Sequence, residues 1–471
     1  MVDVRDLRLS GRAIASTVRG DLIGADRSVF NVQIDSRECR AGSLFVPLKG
    51  EQTDGHFFIE SAVEAGSSLC FVYRRYYDNH KQIFSGLLGK HDVSFLLVDN
   101  PLTALQALAA DHLRQMERLV VIGITGSYGK TTTKEMLGAI LSEYAQTAVS
   151  PGNLNSEIGL PLSALRIRDT DRFAVFEMAI NNPGEMDVLA DIARPEYAAI
   201  TNIGMAHIGL LGSRKAIAGE KRKIFTHMSR DGFAFLGEDE QFGDYLAEVC
   251  RGTIEFFGRH STPGFEAMGV TGLDGIEISW NGKIIRIPVI GPYNLNNALC
   301  AISMALKLGS ETDAIVSGLE KVKPLFGRGE VLKGPVTVIR DCYNANTDSV
   351  TEVIDFVGTL PWTGRKILVL GSMKELGSKT ESEHRLIGRR AADSSVHAVF
   401  FYGDESAAAF HDAEAVVGES GGGKFLRWTN DFDELKKLVY SYVRQGDLLV
   451  LKGSRGVELE RLTDGITELH L

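Results

Sequence analysis

The stretch that decides the fold is Val120-Val-Ile-Gly-Ile-Thr-Gly-Ser-Tyr-Gly-Lys-Thr-Thr-Thr-Lys-Glu-Met-Leu-Gly-Ala-Ile-Leu-Ser-Glu-Tyr-Ala145. The apolar run Val120 to Ile124 reads as a strand. Met136, Leu137, Ile140, Leu141 and Tyr144 recur at helical spacing. Between them, Gly126-Ser127-Tyr128-Gly129 reads as a loop that opens the helix. A strand, a glycine loop and a helix N-terminus together cradle an anion, because backbone N–H groups point inward and the helix dipole adds positive charge. Lys130 has the reach for the β- and γ-phosphates of a nucleotide, and the Thr131 hydroxyl suits Mg²⁺, with Thr132 beside it. The strict phosphate-loop spacing puts its first glycine at 124, where this chain has Ile. Its glycines stand at 123 and 126, so the loop is a variant form.

Outward from this unit the chain keeps an α/β rhythm. Short apolar runs fall at 43–50, 68–75 and 93–100, followed by helical spacing over 103–119. More follow at 173–180 and 197–204, and again at 336–341, 366–372, 398–404 and 447–454. Strands separated by helical stretches predict mostly parallel sheets covered on both faces. The Gly-rich tract 253–291 predicts antiparallel hairpins before a helix over 296–308, and GESGGG (418–423) predicts a surface loop. The length of 471 residues fits about three domains. The expected division is an N-terminal α/β substrate domain (1–115), a central phosphate-loop domain (116–325) and a C-terminal Rossmann-like α/β domain (326–471).

Composition narrows the function classes. The net charge is −10, from 51 Lys+Arg against 61 Asp+Glu. Counted over the three expected domains it is 13 against 14, 20 against 25 and 18 against 22. No part is basic, which argues against nucleic-acid binding and against attraction to anionic membranes. Five scattered cysteines with no CxxC pair read as a reduced compartment without a disulfide framework or a Cys-based zinc site. The segment 1–16 has charges where a signal peptide needs an apolar core, and no apolar run approaches 18 residues. The expectation is a cytoplasmic protein with no membrane insertion.

Further candidates sit at strand ends, where ligands gather in open α/β sheets. Glu177, closing one run, suits a Mg²⁺ contact beside the phosphate loop, although a strand-end Glu is commonly just solvated. His207 follows another run in the same layer, as a ligand or as a structural histidine. On charge pattern alone the run 219–225, with Lys221, reads as a solvated helix face. Asn294 to Asn297 offers either amides for a purine edge or a helix cap. Arg328 between two glycines is well placed for an anion, and Asp341 to Asp348 and Lys452-Gly-Ser-Arg455 lie at strand ends.

These motifs, in this order, resemble the Mur ligase family of cytoplasmic peptidoglycan-precursor enzymes. The similarity rests on 123–132, GNLNSEIGLPL (152–162), FEMAINNPGEMDVL (176–189), TNIGMAHIGLLGS (201–213) and KRKIF (221–225), and it covers nearly the whole chain. Within the family, GRGEV (327–331), CYNANTDSV (342–350), GSMKELGSKTESEH (371–384) and LKGSRGVELE (451–460) resemble the members that join D-alanyl-D-alanine to a UDP-N-acetylmuramoyl-tripeptide. The stretch 35–66 resembles a uridine-diphosphate-binding domain.

The resemblance implies roles. Gly126 to Thr132, Asn297, Arg328 and Asp341 would bind ATP. Thr131, Glu177, His207 and a carbamylated Lys221 would hold magnesium, as two ions. Lys130, Glu177, His207 and Lys221 would be catalytic. Ser36 and Arg37 would meet the uridine side, and Asn153, Asn155, Ser156, Asn344, Asn346, Lys452, Ser454 and Arg455 the peptide substrates. A monomer is expected. Tyr128, Ser156, Tyr293, Arg340 and Thr347 depart from the family pattern. Three other readings are a sister ligase that adds a diamino acid to the UDP-muramoyl-dipeptide, another ATP-dependent amide ligase of the superfamily, such as a folylpolyglutamate or cyanophycin type, and a non-catalytic nucleotide-binding regulator. The Asp-Asn-Pro-Arg motif expected of the first is missing from 326–471. The DSR…GxLFVxLxG pattern from residue 35 disfavours the second, and the intact Lys130, Glu177, His207 and Lys221 disfavour the third.

Overall fold

The computed structural model describes residues 9–50, 52–420 and 423–466. Residues 1–8, half of the segment 1–16, and 421–422 of the expected Gly-rich loop lie outside them.

The α/β expectation holds throughout. The first sheet runs in the order Asp21–Ile23, Ser94–Val98, Leu69–Tyr73, Ser43–Phe45, Asn31–Gln33. Its pairs are parallel except at the Asp21–Ile23 edge. The helix Pro101–Arg114 leaves this sheet. Asn100 accepts from the amides of Leu102 and Thr103, and Pro101 starts the first turn, so the helix begins where Pro costs nothing. Its buried face (Leu105, Leu108, Leu113) joins Leu160, Met186 and Leu189 of the next unit in one core cluster.

The second sheet is parallel throughout, ordered Thr253–Phe257, Phe233–Gly237, Tyr197–Ile200, Val120–Thr125, Phe173–Glu177, Thr147–Val149. Val120–Thr125 is first in sequence and lies inside the sheet. The chain crosses first to the edge strand Thr147–Val149, fills the gap with Phe173–Glu177, and then builds outward on the other side, which makes a topological switch point. The tract after 253 needs correction. Thr253–Phe257 is a parallel edge strand of this sheet, not part of a hairpin. The antiparallel unit is Phe265–Val270, Ile276–Trp280 and Lys283–Ile287. Alternation decides it: Ile276, Ile278, Trp280, Ile285 and Ile287 are fully buried, in one core cluster with Leu295, Leu299, Ile315 and Leu319.

The third sheet is ordered Glu330–Leu332, Thr337–Asp341, Leu448–Lys452, Lys366–Gly371, Ala398–Tyr402, Phe425–Thr429, with only the first strand antiparallel. The chain leaves Thr337–Asp341, skips one place, and fills the gap last with Leu448–Lys452. The expected loop at 418–423 is also corrected: helix Ala407–Ser420 runs through its first three residues. Five alanines and Glu414 within 407–415 favour the helix that carries on into it.

The phosphate-loop helix, Lys130–Leu141, buries Met136, Leu137, Ile140 and Leu141 as its spacing requires. Tyr144 lies beyond its end, with its ring edge against Phe173. Helix Thr312–Glu320 crosses its flank so closely that a Cβ on Gly318 would stand 2.4 Å from the Ile140 Cα. Gly318→Ala is therefore expected to destabilise this unit by about 1–3 kcal/mol through overpacking. Thermal unfolding checks it, and an unchanged midpoint would contradict the tight crossing.

Candidate active site

Parallel register explains why the candidate residues meet. Glu177 pairs with Ile124, and Ile200 with Thr125. The carboxyl ends of three neighbouring strands thus deliver Glu177, the phosphate loop and the 201–213 loop to one edge. The Thr131 hydroxyl donates to Glu177 Oε2 at 2.7 Å, and the Asn155 amide donates to Oε1 at 2.9 Å. The Glu177 backbone N–H donates to the Ser150 hydroxyl at 3.0 Å. Burial alone would push the Glu177 carboxyl up, but Lys130, the Thr131 hydroxyl, Arg328 and Lys134 together hold it below the usual carboxylate range.

The loop itself is pinned from the neighbouring strand end. Thr201 Oγ1 and Asn202 Nδ2 donate to the Tyr128 carbonyl at 2.6 and 3.0 Å. Asn202 accepts in turn from the amides of Ser127 and Tyr128. Gly129 has φ +79°, and a Cβ there would lie 2.2 Å from Asn297 Oδ1. So Asn297 buttresses the loop from the helix Asn294–Lys307. The helix-cap alternative for the Asn cluster is not realised: Tyr293 is the N-cap, and Asn294 and Asn297 hydrogen-bond to one another inside the helix at 2.8 Å.

Two lysines converge on one carbonyl. Lys130 Nζ donates to Gly126 O at 3.0 Å, and Lys221 Nζ donates to the same oxygen at 2.9 Å. The solvated-face reading of 219–225 is overturned here. Lys221 is 1% exposed and Glu220 5%. Glu220 is drawn inward because its Oε1 accepts the Gly184 and Met186 amides, at the start of helix Glu185–Ala193. Burial, reinforced by Lys130, drives the Lys221 ammonium well below its ordinary pKa, and burial lowers Lys130 too.

His207 sits in the left-handed region (φ +61°). Its Nδ1 lies 2.5 Å from Glu375 Oε2, and this contact holds the Glu375 carboxyl below its ordinary value. Opposite stands the third sheet. Asp341 and Lys452 are register partners at adjacent parallel strand ends, and their side chains pair at 3.1 Å. Lys452 Nζ also donates to the Asn344 carbonyl at 2.7 Å. The Arg328 guanidinium lies 4.0 Å over the Tyr343 ring.

One cleft collects most of the candidates: Ser127 to Thr132, Asn153, Asn155, Ser156, Glu177, His207 and Asn297 on one wall, and Arg328, Asp341, Asn344, Asn346 and Lys452 on the other. Gly126 and Lys221 lie beneath the loop rather than in the cleft lining. Ser454 and Arg455 are also outside it: the Ser454 hydroxyl accepts the Lys374 amide at 2.9 Å, and Arg455 pairs with Glu460. Ser36 and Arg37 are not in this cleft; Arg37 is exposed and forks onto Asp35.

Sequence reasoning missed Glu352, Tyr343, Ser349 and Asn181 in the lining. Glu352 stands one helical turn after Asp348, a spacing common to any solvent-facing helix, so only the tertiary fold reveals it. Burial, then Asp348, raise its carboxyl to about 7.

Comparison with known proteins agrees over the whole length. Three family models match: "Mur ligase family, catalytic domain" over 28–112, "Mur ligase middle domain" over 124–305, and "Mur ligase, glutamate ligase domain" over 327–455. The UDP-N-acetylmuramoyl-tripeptide–D-alanyl-D-alanine ligase of Treponema pallidum is 36% identical, covering 96% of this chain and 98% of that one. Its Bacillus subtilis counterpart is 33% identical, covering 97% and 98%. Among solved structures, MurF from Acinetobacter baumannii superposes with a TM-score of 0.86 at 29% identity, covering 98% of this chain and 100% of that one. A Thermotoga maritima MurF ligase in complex with ADP gives 0.78 at 27%, covering 93% and 97%.

Two predictions follow from the geometry. Gly129→Ala should weaken nucleotide binding about 10-fold or more, since it strains the backbone and strikes Asn297; titration calorimetry reads this, and unchanged affinity contradicts it. Glu352 is protonated at pH 5 in the fold but largely ionised when unfolded. The native protein binds the extra proton between about pH 4.5 and 7, so stability falls as pH rises through that window. Glu352→Gln should remove about 1–3 kcal/mol of this loss, read as a flatter dependence of the melting midpoint on pH.

Proposed function

The chain belongs to the Mur ligase family, and on that footing we propose that it joins D-alanyl-D-alanine to UDP-N-acetylmuramoyl-tripeptide with ATP, releasing ADP and phosphate. The observation that carries the reading is the cleft itself. A phosphate loop and a buried, ionised carboxylate on one wall face an Asp341–Lys452 pair and an Arg328 on the other.

The donor set fits a magnesium nucleotide. The Thr131 hydroxyl and the Glu177 carboxylate are adjacent hard oxygens, suited to an ion that keeps water and phosphate oxygens as its other ligands. Magnesium bound there would neutralise charge on the transferring phosphoryl group. His207 keeps Nε2 for the same task. Lys221 as a free ammonium would be a poor neighbour for a cation. Its burial favours the neutral amine, the form that adds carbon dioxide, and the resulting carbamate would supply oxygen instead.

The reaction then divides into two displacements. A carboxylate oxygen of the tripeptide attacks the γ-phosphorus, and ADP leaves, giving an acyl phosphate. The dipeptide amine attacks the acyl carbon, loses a proton, and phosphate departs. Lys130 places charge on the β/γ-phosphates, and the loop amides Gly129 to Thr132 orient them. Arg328, Asp341 and Asn297 surround the nucleoside end, and Asn344, Asn346 and Lys452 face the incoming amine substrate. Asn153, Asn155 and Ser156 face the acceptor peptide, and Ser36 and Arg37 hold the uridine side farther off. Closing the two walls excludes water, which would otherwise hydrolyse the acyl phosphate. The domain limits 1–115, 116–325 and 326–471 assign these tasks to uridine binding, phosphoryl transfer and amine delivery. No helix among the described residues is long and apolar enough to cross a membrane. A monomer working in the cytoplasm fits small, soluble substrates.

The test offers the tripeptide nucleotide and MgATP with D-alanyl-D-alanine, single D-amino acids and diamino acids as competing amines. Mass spectrometry should find the dipeptide adduct dominant; a diamino-acid adduct would overturn the proposal. Lys130→Ala should cut turnover about 100-fold or more with the fold intact. Lys221→Ala should do likewise and recover in part with added short carboxylic acids, and full activity without them would remove the carbamate.

A further inference from the structure

The segment 204–209 is held from the third sheet by two residues that bear carboxylates, Asp348 and Glu375. Helix Thr347–Thr359 is capped by Asn346 and Ser349. The Asn346 side chain accepts the Ser349 amide at 2.9 Å, and Ser349 Oγ accepts the Asn346 amide at 3.2 Å. That capping box leaves the Asp348 carboxylate free. Its Oδ2 accepts the Met205 backbone N–H at 3.0 Å instead, across the cleft. The preceding amide, Gly204 N–H, donates to Ser127 Oγ in the phosphate loop at 2.8 Å. The fit around Gly204 is complete: a Cβ there would stand 2.3 Å from Asp348 Oδ2 and 3.3 Å from Ser127 Cβ. Farther along, the Gly209 N–H donates to the Glu375 carbonyl at 2.9 Å, and a Cβ on Gly209 would stand 2.5 Å from the Gly377 nitrogen.

We propose that Asp348 is a positioning residue, a latch that reports docking of the C-terminal wall to the phosphate loop through Met205, Gly204 and Ser127. This rests on the ligase reading above. When the wall docks, the carboxylate seats against Gly204, fixes residues 204–209 from both ends together with Glu375, and sets Ser127 and His207 in their places. Undocked, that loop keeps its Ser127 contact but loses both clamps. Phosphoryl transfer follows the latch.

A double-mutant cycle on the full-length protein tests this. Asp348→Ala should lower kcat for ligation about 10-fold or more, with KM for ATP changed less than about threefold. Gly204→Ala should cost a similar factor, because its methyl forces the carboxylate away. The double variant should be no worse than either single one, since without the carboxylate the methyl has room. Additive losses, or wild-type kcat in Asp348→Ala, would overturn the latch. Asp348→Asn, which keeps the shape and an acceptor oxygen, should fall between, and Asp348→Ser, which withdraws the side chain from Gly204, takes the place of alanine in the cycle if the alanine variant folds poorly. If the wild type itself ligates nothing, the ligase reading fails, and the latch is scored separately by X-ray scattering with MgADP. Asp348→Ala should then have the larger radius of gyration, and equal radii would overturn it.

Discussion

The structure depends on one constraint: Val120–Thr125 runs inside a parallel sheet with strands closing on both sides of it. Parallel register puts the carboxyl ends of three strands level, so one edge receives the phosphate loop, Glu177 and the 201–213 loop together. On the proposed reading the Gly129 to Thr132 amides hold phosphate, and the loop carbonyls find their donors elsewhere. Thr201 and Asn202 serve Tyr128 O, and the two lysines serve Gly126 O. Thr201, Asn202 and Lys221 come from the neighbouring strand end or the helix after it, so displacing that strand by one residue would undo their braces, while Lys130 comes from the loop's own helix.

The same constraint explains how an acidic protein handles anionic ligands. The net charge of −10 is spread over the surface, while Lys130, Lys221, Arg328 and Lys452 line or underlie one cleft. Low-dielectric surroundings strengthen their effect locally. Carboxylates are not excluded from the cleft. Glu177 is kept ionised by its neighbours, whereas Glu352, beside Asp348, is held partly protonated near neutrality. Two carboxyl groups in one cleft are thereby set to different protonation states by position alone.

Much of this was legible in the sequence, for identifiable reasons. The phosphate loop, Glu177 and Asp341 each end an apolar run, and strand periodicity survives burial. Lys221 was misjudged from its charged neighbours, because only the tertiary fold shows Glu220 turned toward buried amides and the lysine turned under the loop. Thr253–Phe257 was grouped with the hairpins that follow, since a short edge strand shows no sign of its partner. Asn297 was ambiguous between cap and ligand because its actual partner, Gly129, is remote in sequence. Glu352 gave no local signal, and Asp348 was legible only as the end of the candidate run 341–348: their roles lie in the wall they face.

The central claim is that this cleft activates a carboxylate as an acyl phosphate. Preparing the acceptor tripeptide with ¹⁸O in its terminal carboxylate and analysing the released phosphate by mass spectrometry tests it directly. The account predicts one ¹⁸O carried from carboxylate to each phosphate, dependent on Lys130. Unlabelled phosphate accompanying amide formation would contradict it.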